Sequence, residues 1–437
     1  DLPADLTPFI EQLLAAARKN DIPLELTDGS EIEQAVGATI DLAFRMRASD
    51  IHLTLHVDAD SGRKVCPLRF RIDGVLQQVA ELDPRLLPAM IEQWKRMAAC
   101  DVHETHLPQD GRIMLRVRET QTDDADQGRH IDLRVCFLPI AFGESLTARI
   151  LDASAVRLKL DRLHLPEPAR TPLEKAIHEP WGVVFVCGPT GSGKTTVLYS
   201  CLNEISSQNI KVVTVESPVE YYLPWATQAQ VNMGRGLKAS HLLRATLRSD
   251  PDVIMLSEIR DQETLAIVQQ CALTGHLVMT SLHTENAAYA LQRQLDIGSD
   301  PFIVADSTRL LTCQRLVRVL CPKCAEPVQP DDSTLEAVTK AARNGGLDWS
   351  GQPTNFHKAV GCPACSRIGY QGRRAIMEAL PVSPNIAAAV RRRESPEAIQ
   401  AIGIEEGMVT MIADGLRLAA EGVTSLEEVM RTTMLRF

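Results

Sequence analysis

The chain has 437 residues, 45% hydrophobic and 23% charged, the balance of a folded protein with more than one core rather than of a disordered chain. With 46 Lys plus Arg against 56 Asp plus Glu, the formal charge is -10, so no global positive field draws it to nucleic acid or anionic lipid. No apolar run approaches the roughly 18 to 20 residues that cross a bilayer, and the start DLPADLTPFIEQLL lacks the basic and apolar regions of a signal peptide, which predicts a cytosolic protein.

Along the chain, the apolar spacing predicts an amphipathic helix over Leu6 to Lys19 and a polar Asp28-Gly29-Ser30 break, so residues 1–30 read as a linker or remnant of an N-terminal region. Helical spacing follows from Glu31 to Met46. Strand-like alternation in PLRFRIDGVLQQV predicts a hairpin turning at Asp73-Gly74. A helix over Pro88 to Ala99 leads to a second hairpin, RIMLRVRE and HIDLRVCFL, split by the acidic stretch TQTDDADQG. Helices alternating with antiparallel strands make residues 31–152 a small α+β domain.

Beyond a proline-bearing linker the pattern changes. GVVFVCG, KVVTVE, DVIMLSE and LVMTSL are short, continuous apolar strands, each leading into a loop or helix. That is the mark of a parallel sheet buried on both faces, and it makes residues 158–320 an α/β core. Residues 321–378 form a less regular insert, and residues 379–437 read as a helical C-terminal region.

The core's first strand runs into Gly188, Pro189, Thr190, Gly191, Ser192, Gly193, Lys194 and Thr195, a complete G-x-x-x-x-G-K-[ST] loop that opens a helix at Thr196. Its glycines let amides turn inward around phosphate oxygens, Lys194 reaches the β and γ phosphates, and Thr195 can ligate Mg²⁺. Two later strands end in carboxylates, Glu216 and Glu258, at the edge where such sheets hold ligands. One acid to hold hydrated Mg²⁺ and one to orient water is what phosphoryl transfer asks for, although each residue alone also reads as a capping or solvated acid. His276 and His283 bracket LVMTSL and are candidates to sense the γ phosphate.

Of the 11 cysteines, four form two Cys-x-x-Cys pairs, Cys321 with Cys324 and Cys362 with Cys365. Four thiolates would complete a closed Zn²⁺ tetrahedron, a structural staple rather than a catalytic site, while the spacing alone also allows two redox-inert cysteine pairs. Arg391-Arg392-Arg393 ends an apolar helical stretch and reads as a favourable, solvated helix C-terminus.

Several segments beyond the phosphate loop resemble the secretion ATPases of the type II secretion and type IV pilus assembly class, the GspE/PilB group. VTVESPVEY resembles that family's Asp box, LRSDPDVIMLSEIRD its Walker B segment and TGHLVMTSLHTENA its His box. ASDIHL, RFRIDGVL, LPQDGR and LRVCFLPIAFGESLTARIL are similar to motifs of its smaller N-terminal domain, and GCPACSRIGYQGRRAIMEAL to its cysteine-rich segment. The resemblance implies a RecA-like P-loop NTPase core with a PAS-like α+β domain, a tetracysteine zinc insert and a helical C-terminal region. It implies ATP, Mg²⁺ and Zn²⁺ as cofactors and a homo-hexamer acting on inner-membrane platform proteins from the cytoplasmic face. Membrane association would come through partners alone, and no nucleic acid is expected.

The same resemblance makes Glu216 the water-activating acid, Glu258 the acid near Mg²⁺ and His283 the His-box residue. Arg134 and Arg149 become arginines that reach nucleotide from across a domain or subunit contact, with Arg71 and Arg112 weaker candidates for that surface. Three positions depart from the family: Ser217 stands where an acid is usual, Ser257 and His164 where glycine is usual. Ser217 raises a second reading, a nucleotide-binding subunit with little turnover. A nucleic-acid translocase on the same core is a third, opposed by the acidic charge and the aromatic content of 4%.

Overall fold

The computed structural model describes residues 5–59, 61–117, 129–152, 159–350 and 354–433. The acidic stretch Thr120 to Gly128 and the start of the linker after Asp152 lie outside the described residues. The chain divides into two units, Asp1–Ala153 with Gly361–Gly369, and Ser154–Val360 with Tyr370–Phe437.

In the first unit, α1 (Thr7–Lys19) is no linker. Its apolar face, Phe9, Ile10, Leu13 and Ala17, is buried in the same core as α2 (Glu31–Arg45) and α3 (Leu87–Met97). The polar break before α2 is a helix start: the Glu33 carboxylate accepts from the Ser30 amide at 2.8 Å while the Ser30 hydroxyl accepts from the Glu33 amide at 3.4 Å. The strands are β1 (Ala48–Leu53), β2 (His56–Val57), β3 (Lys64–Ile72), β4 (Val75–Leu82), β5 (Gln109–Val117), β6 (Arg129–Ile140) and β7 (Gly143–Asp152). Asp73 and Gly74, with φ of +46° and +83°, make the predicted two-residue turn between β3 and β4.

These strands form one antiparallel sheet in the order β2-β3-β1-β7-β6-β5, with β4 paired to β3. Alternation divides its faces. Ile51, Phe70, Ala148, Leu133 and Ile113 point into the core. The residues between them, including Arg71, Arg112, Arg134 and Arg149, share the other face.

In the second unit, α4 (Glu167–Ala176), β8 (Gly182–Cys187), α5 (Lys194–Ile205), β9 (Val212–Glu216), β10 (Thr227–Gln230), α6 (Ala239–Thr246), β11 (Val253–Leu256), α7 (Gln262–Leu273), β12 (Leu277–Leu282), α8 (Ala287–Asp296) and α9 (Pro301–Ser307) follow in turn. Every residue of β8, β9, β11 and β12 is buried, as the unbroken apolar runs predict. With β13 (Thr308–Leu320) and β16 (Tyr370–Pro381) the sheet order is β10-β9-β11-β12-β8-β13-β16, parallel except at β16.

The strands β13 and β16 were hidden in the sequence by their interspersed arginines and by the insert between them. Residues 370–378 therefore belong to the core sheet, not to the cysteine-rich segment. That segment carries β14 (Glu326–Pro327), α10 (Asp332–Asn344) and β15 (His357–Lys358). Its Val338, Ala342, Trp349 and Phe356 bury themselves against Leu416, Ala419 and Val429, so the insert shares a core with the C-terminal helices. Those helices, where the tail predicts them, are α11 (Pro384–Arg391), α12 (Pro396–Glu405), α13 (Met411–Ala420) and α14 (Leu426–Thr433).

Candidate functional site

The loop from Gly188 to Lys194 joins β8 to α5, at the C-terminal edge of the parallel sheet where ligands bind. At Gly188, with φ of +139°, a Cβ would stand 2.4 Å from the Gln314 carbonyl oxygen, so only glycine fits. The Gln314 side chain, from β13, braces the loop by donating to the Ser192 carbonyl at 2.7 Å. Gly193 caps α5 and supplies no side-chain acceptor. The first-turn amides of Lys194, Thr195 and Thr196 thus form an uncapped, partly positive helix end suited to an anion.

Lys194 Nζ donates to the carbonyls of Gly188 and Pro189, each at 2.9 Å, and lies 3.5 Å from His283 Nδ1. His283 Nε2 is 3.2 Å from Glu258 Oε2, and Arg260 Nε donates to Glu258 Oε1 at 2.6 Å. With the ammonium donating to Nδ1, the imidazole proton sits on Nε2 toward the carboxylate. Burial pushes Lys194 below the ordinary lysine range, against the nearby thiols and the carboxylates of Glu258 and Glu220. Burial would raise Glu258, but hydrogen bonds from Arg260 and His283 outweigh it and hold that carboxyl below its usual range. An ionised, partly exposed carboxylate beside a phosphate loop suits a hard divalent cation. Lys194, Glu258 and His283 therefore meet as the motifs predict.

Glu216 does not share that setting. It is 1% exposed, and its carboxylate accepts from Tyr199 Oη at 2.5 Å, Thr214 Oγ1 at 2.6 Å and Gln228 Nε2 at 3.0 Å. Three donors on a buried carboxylate leave little capacity to hold and deprotonate a water, so the structure ties Glu216 to the β9, α5 and β10 framework. Glu220, four residues on, is half-buried and contributes to the field on Lys194. Sequence reasoning passed over Glu220 because both acids stand in VTVESPVEY and burial, which separates them, has no signature in spacing. Gln314, buried on β13, was missed for the same reason, and the contact of the exposed Arg260 with Glu258 has no signature in spacing either.

His276 stands away from the phosphate end. It lies at the start of β12, where its Nδ1 contacts the Cys271 carbonyl at 3.0 Å beyond the end of α7. Six residues of strand separate it from His283, roughly 20 Å. It closes a helix and does not serve the phosphate end. Ser257 remains beside Glu258, its carbonyl accepting from Ser281 Oγ at 2.6 Å. His164 has φ of +50°, the left-handed region that favours glycine, which accounts for glycine being the usual residue there.

The predicted arginines belong to the first unit. Arg71, Asp50, Arg149, Arg134 and Arg112 are successive register partners across β3, β1, β7, β6 and β5, so the five side chains stand in one row on the polar face. Asp50, buried at the centre, accepts from Arg149 Nε at 3.0 Å and has Arg71 Nε at 3.7 Å. Asp132 binds Arg112 Nε through both oxygens, at 2.9 and 2.8 Å. Arg149 is 59% exposed at its side chain, so one carboxylate orients a guanidinium that still faces solvent. The row concentrates positive charge on one face of an acidic chain, the pattern that recognises phosphate.

The Sγ atoms of Cys321, Cys324, Cys362 and Cys365 all lie within 4.8 Å of one another. Cys362 and Cys365 sulfurs are 3.8 Å apart, equal to the edge of a tetrahedron with Zn–S bonds of about 2.3 Å. The amides of Cys362 and Gly369 donate to Cys365 Sγ at 3.2 and 3.3 Å and fix its position. The four residues fit a closed, structural Zn²⁺ site, with no position left for substrate. Among the described residues no helix is long and apolar enough to cross a membrane.

A family profile described as "Type II/IV secretion system protein" matches residues 25–431. The chain is 39% identical over 430 residues to "Type II secretion system protein E" of Pseudomonas aeruginosa, covering 98% of this chain and 79% of that protein. It is 36% identical over 435 residues to "Type IV pilus assembly ATPase PilB" of Myxococcus xanthus, covering 99% and 73%. The Legionella pneumophila ATPase DotB shares the fold, with a TM-score of 0.63 at 20% identity over 91% of this chain and 94% of that one. The chain belongs to the Type II/IV secretion system protein family, and it is an ATPase.

Proposed function

We propose that this ATPase is a hexameric, Mg²⁺-dependent motor that powers assembly of a type IV pilus or a type II secretion pseudopilus from the cytoplasmic face of the inner membrane. The observation that carries the reading is the pairing of an uncapped phosphate loop in one unit with a row of oriented arginines in the other. A transition state in phosphoryl transfer spreads charge over equatorial oxygens, and a guanidinium supplied at that moment is worth about 10³ to 10⁵ in rate. Arg149 and Arg134 are the residues we assign to that role.

In this reading Lys194 and the first-turn amides of α5 hold the β and γ phosphates, and His283 reads the γ phosphate while hydrogen-bonded to Glu258. Mg²⁺ would be held by Thr195 and Glu258 and would supply neutralisation of phosphate charge. Glu220, rather than Glu216, orients the attacking water. An arginine donated to a neighbour's nucleotide implies a head-to-tail contact, which closes into a ring. Gain and loss of the γ phosphate would then rotate the first unit against the second, and membrane-embedded platform proteins would receive that motion. Zn²⁺ on the four cysteines serves folding alone.

Steady-state ATP hydrolysis by Glu220→Gln and Glu216→Gln tests the acid assignment. Loss of a positioned general base costs about 10² to 10⁴, so Glu220→Gln should lose about 10²-fold in kcat with ATP affinity kept. Glu216→Gln should instead lower the unfolding temperature and retain most turnover. The reverse ranking would return the role to Glu216.

A further inference from the structure

Glu378, on β16, is a buried carboxylate that the scheme above does not use. It is 4% exposed, and its two oxygens accept from two different helices: Oε1 from the amide of Ala287 at 2.7 Å and Oε2 from the amide of Met411 at 2.8 Å. Each of those amides is the first of its helix, after the caps Asn286 of α8 and Thr410 of α13. Two helix N-termini, each partly positive, face one carboxylate, which offsets the cost of burying it.

Its place in the sheet links it to the phosphate site. Leu282, Cys187, Cys313 and Glu378 are successive register partners across β12, β8, β13 and β16. The residue after Cys187 is Gly188 of the phosphate loop, and the residue after Leu282 is His283. Cys313 Sγ donates to the carbonyls of Thr284 and Glu285, at 3.6 and 3.3 Å, within the loop between His283 and α8. Glu378 therefore closes the far end of a loop whose near end carries the imidazole between Lys194 and Glu258. Its other oxygen secures that hold on α13, where Asp414 accepts from the amide of Met377 at 3.2 Å.

We propose that Glu378 is a positioning residue for the ATPase reaction: through the first amide of α8 it fixes the loop that aims His283, with α13 as the anchor. The proposal rests on His283 belonging to the catalytic machinery, so His283→Ala is measured beside it.

Glu378→Gln replaces one acceptor oxygen with an amide that opposes an N–H. Because ångström misplacement of a catalytic group costs up to about 10²-fold, we expect kcat for ATP to fall about tenfold with KM within twofold. In a His283→Ala background the same change should cost less than twofold, because the group it positions is already gone. A second variant, Ala287→Pro, removes the α8 amide from the other side of the contact while leaving Glu378 unchanged. Proline suits the first helical position, and Asn286 before it is already extended at φ -146° and ψ 173°. It should reproduce the kcat loss.

Parental kcat in Glu378→Gln, or a full tenfold loss that persists without His283, overturns the proposal while leaving His283 in place. Full turnover in His283→Ala removes the reading of His283 and the proposal with it. If Glu378→Gln does not fold, Ala287→Pro decides alone, and parental turnover there is contrary. Failure of both variants to fold assigns Glu378 to stability only and is also contrary.

Discussion

The two sheets of this protein present their chemistry in opposite ways. The antiparallel sheet buries one face in its core and carries polar residues on the other, so its charged side chains stand along the strands, in the row Arg71, Asp50, Arg149, Arg134 and Arg112. The central strands of the parallel sheet, β8, β9, β11 and β12, are buried on both faces and largely apolar, so the residues of the phosphate site gather at their ends, at Gly188, Glu258 and His283. A surface of the first kind offers charge to something that docks on it. A rim of the second kind encloses a small ligand with fixed dipoles. An ATPase whose turnover depends on a second body needs one of each.

The largest expected effect that would break this comparison is at the open face. Arg149→Ala should lower kcat about 10³-fold while ATP affinity changes little, because a guanidinium used in the transition state contributes little to ground-state binding. Equal losses in affinity and turnover, read by equilibrium nucleotide binding beside steady-state hydrolysis, would make Arg149 an ordinary binding residue.

A smaller effect is expected where the parallel sheet is extended by β13 and β16. Cys321 follows β13 directly, so a metal on the four thiols should hold the end of that strand. The purified protein should carry about one Zn²⁺ per chain, and Cys362→Ser should lose it and unfold several degrees lower. A folded, metal-free wild type of equal stability would remove the staple.

The smallest effect concerns Glu428, which accepts from the Arg318 amide at 3.1 Å and pairs with Arg318 and Arg431 at 2.6 and 2.7 Å. Burial would raise its pKa, but the hydrogen bonds from the two arginines prevail and hold it below the usual glutamate range. A carboxylate lowered on folding contributes stability above its unfolded pKa, about 4.3, and loses it as pH falls through the folded value. The unfolding temperature should therefore be level from neutral pH to about 5 and drop below that. Glu428→Gln should be less stable by about 2 kcal/mol at neutral pH and show a shallower acid drop. Parallel acid limbs in the two proteins would contradict the assignment.

How much of this was legible in the sequence follows from the same contrast. Continuous apolar runs located β8, β9, β11 and β12, and the phosphate loop and the ends bearing Glu258 and His283 came with them. Alternation located β3, β4, β5 and β6, whereas the arginines were named only by the family resemblance. Burial of individual polar residues was not legible. Glu216 and Glu220 read alike in VTVESPVEY, yet Tyr199 of α5, Thr214 of β9 itself and Gln228 of β10 converge on the first, a convergence that no local period shows. β13 and β16 pair across some 50 intervening residues and carry arginines, so no local period marked them. α1 read as a remnant because its partners in the core lie in α2 and the antiparallel sheet, which amphipathic spacing does not name.

The central claim is that Arg149 of one subunit completes the phosphate site of another. Mixing Arg149→Ala, which keeps Lys194, with Lys194→Ala, which keeps Arg149, and measuring ATP hydrolysis against subunit ratio addresses it directly. Donation between subunits predicts turnover in the mixture well above that of either variant alone, greatest near equal proportions. Turnover in the mixture no higher than the average of the two separate proteins would contradict it.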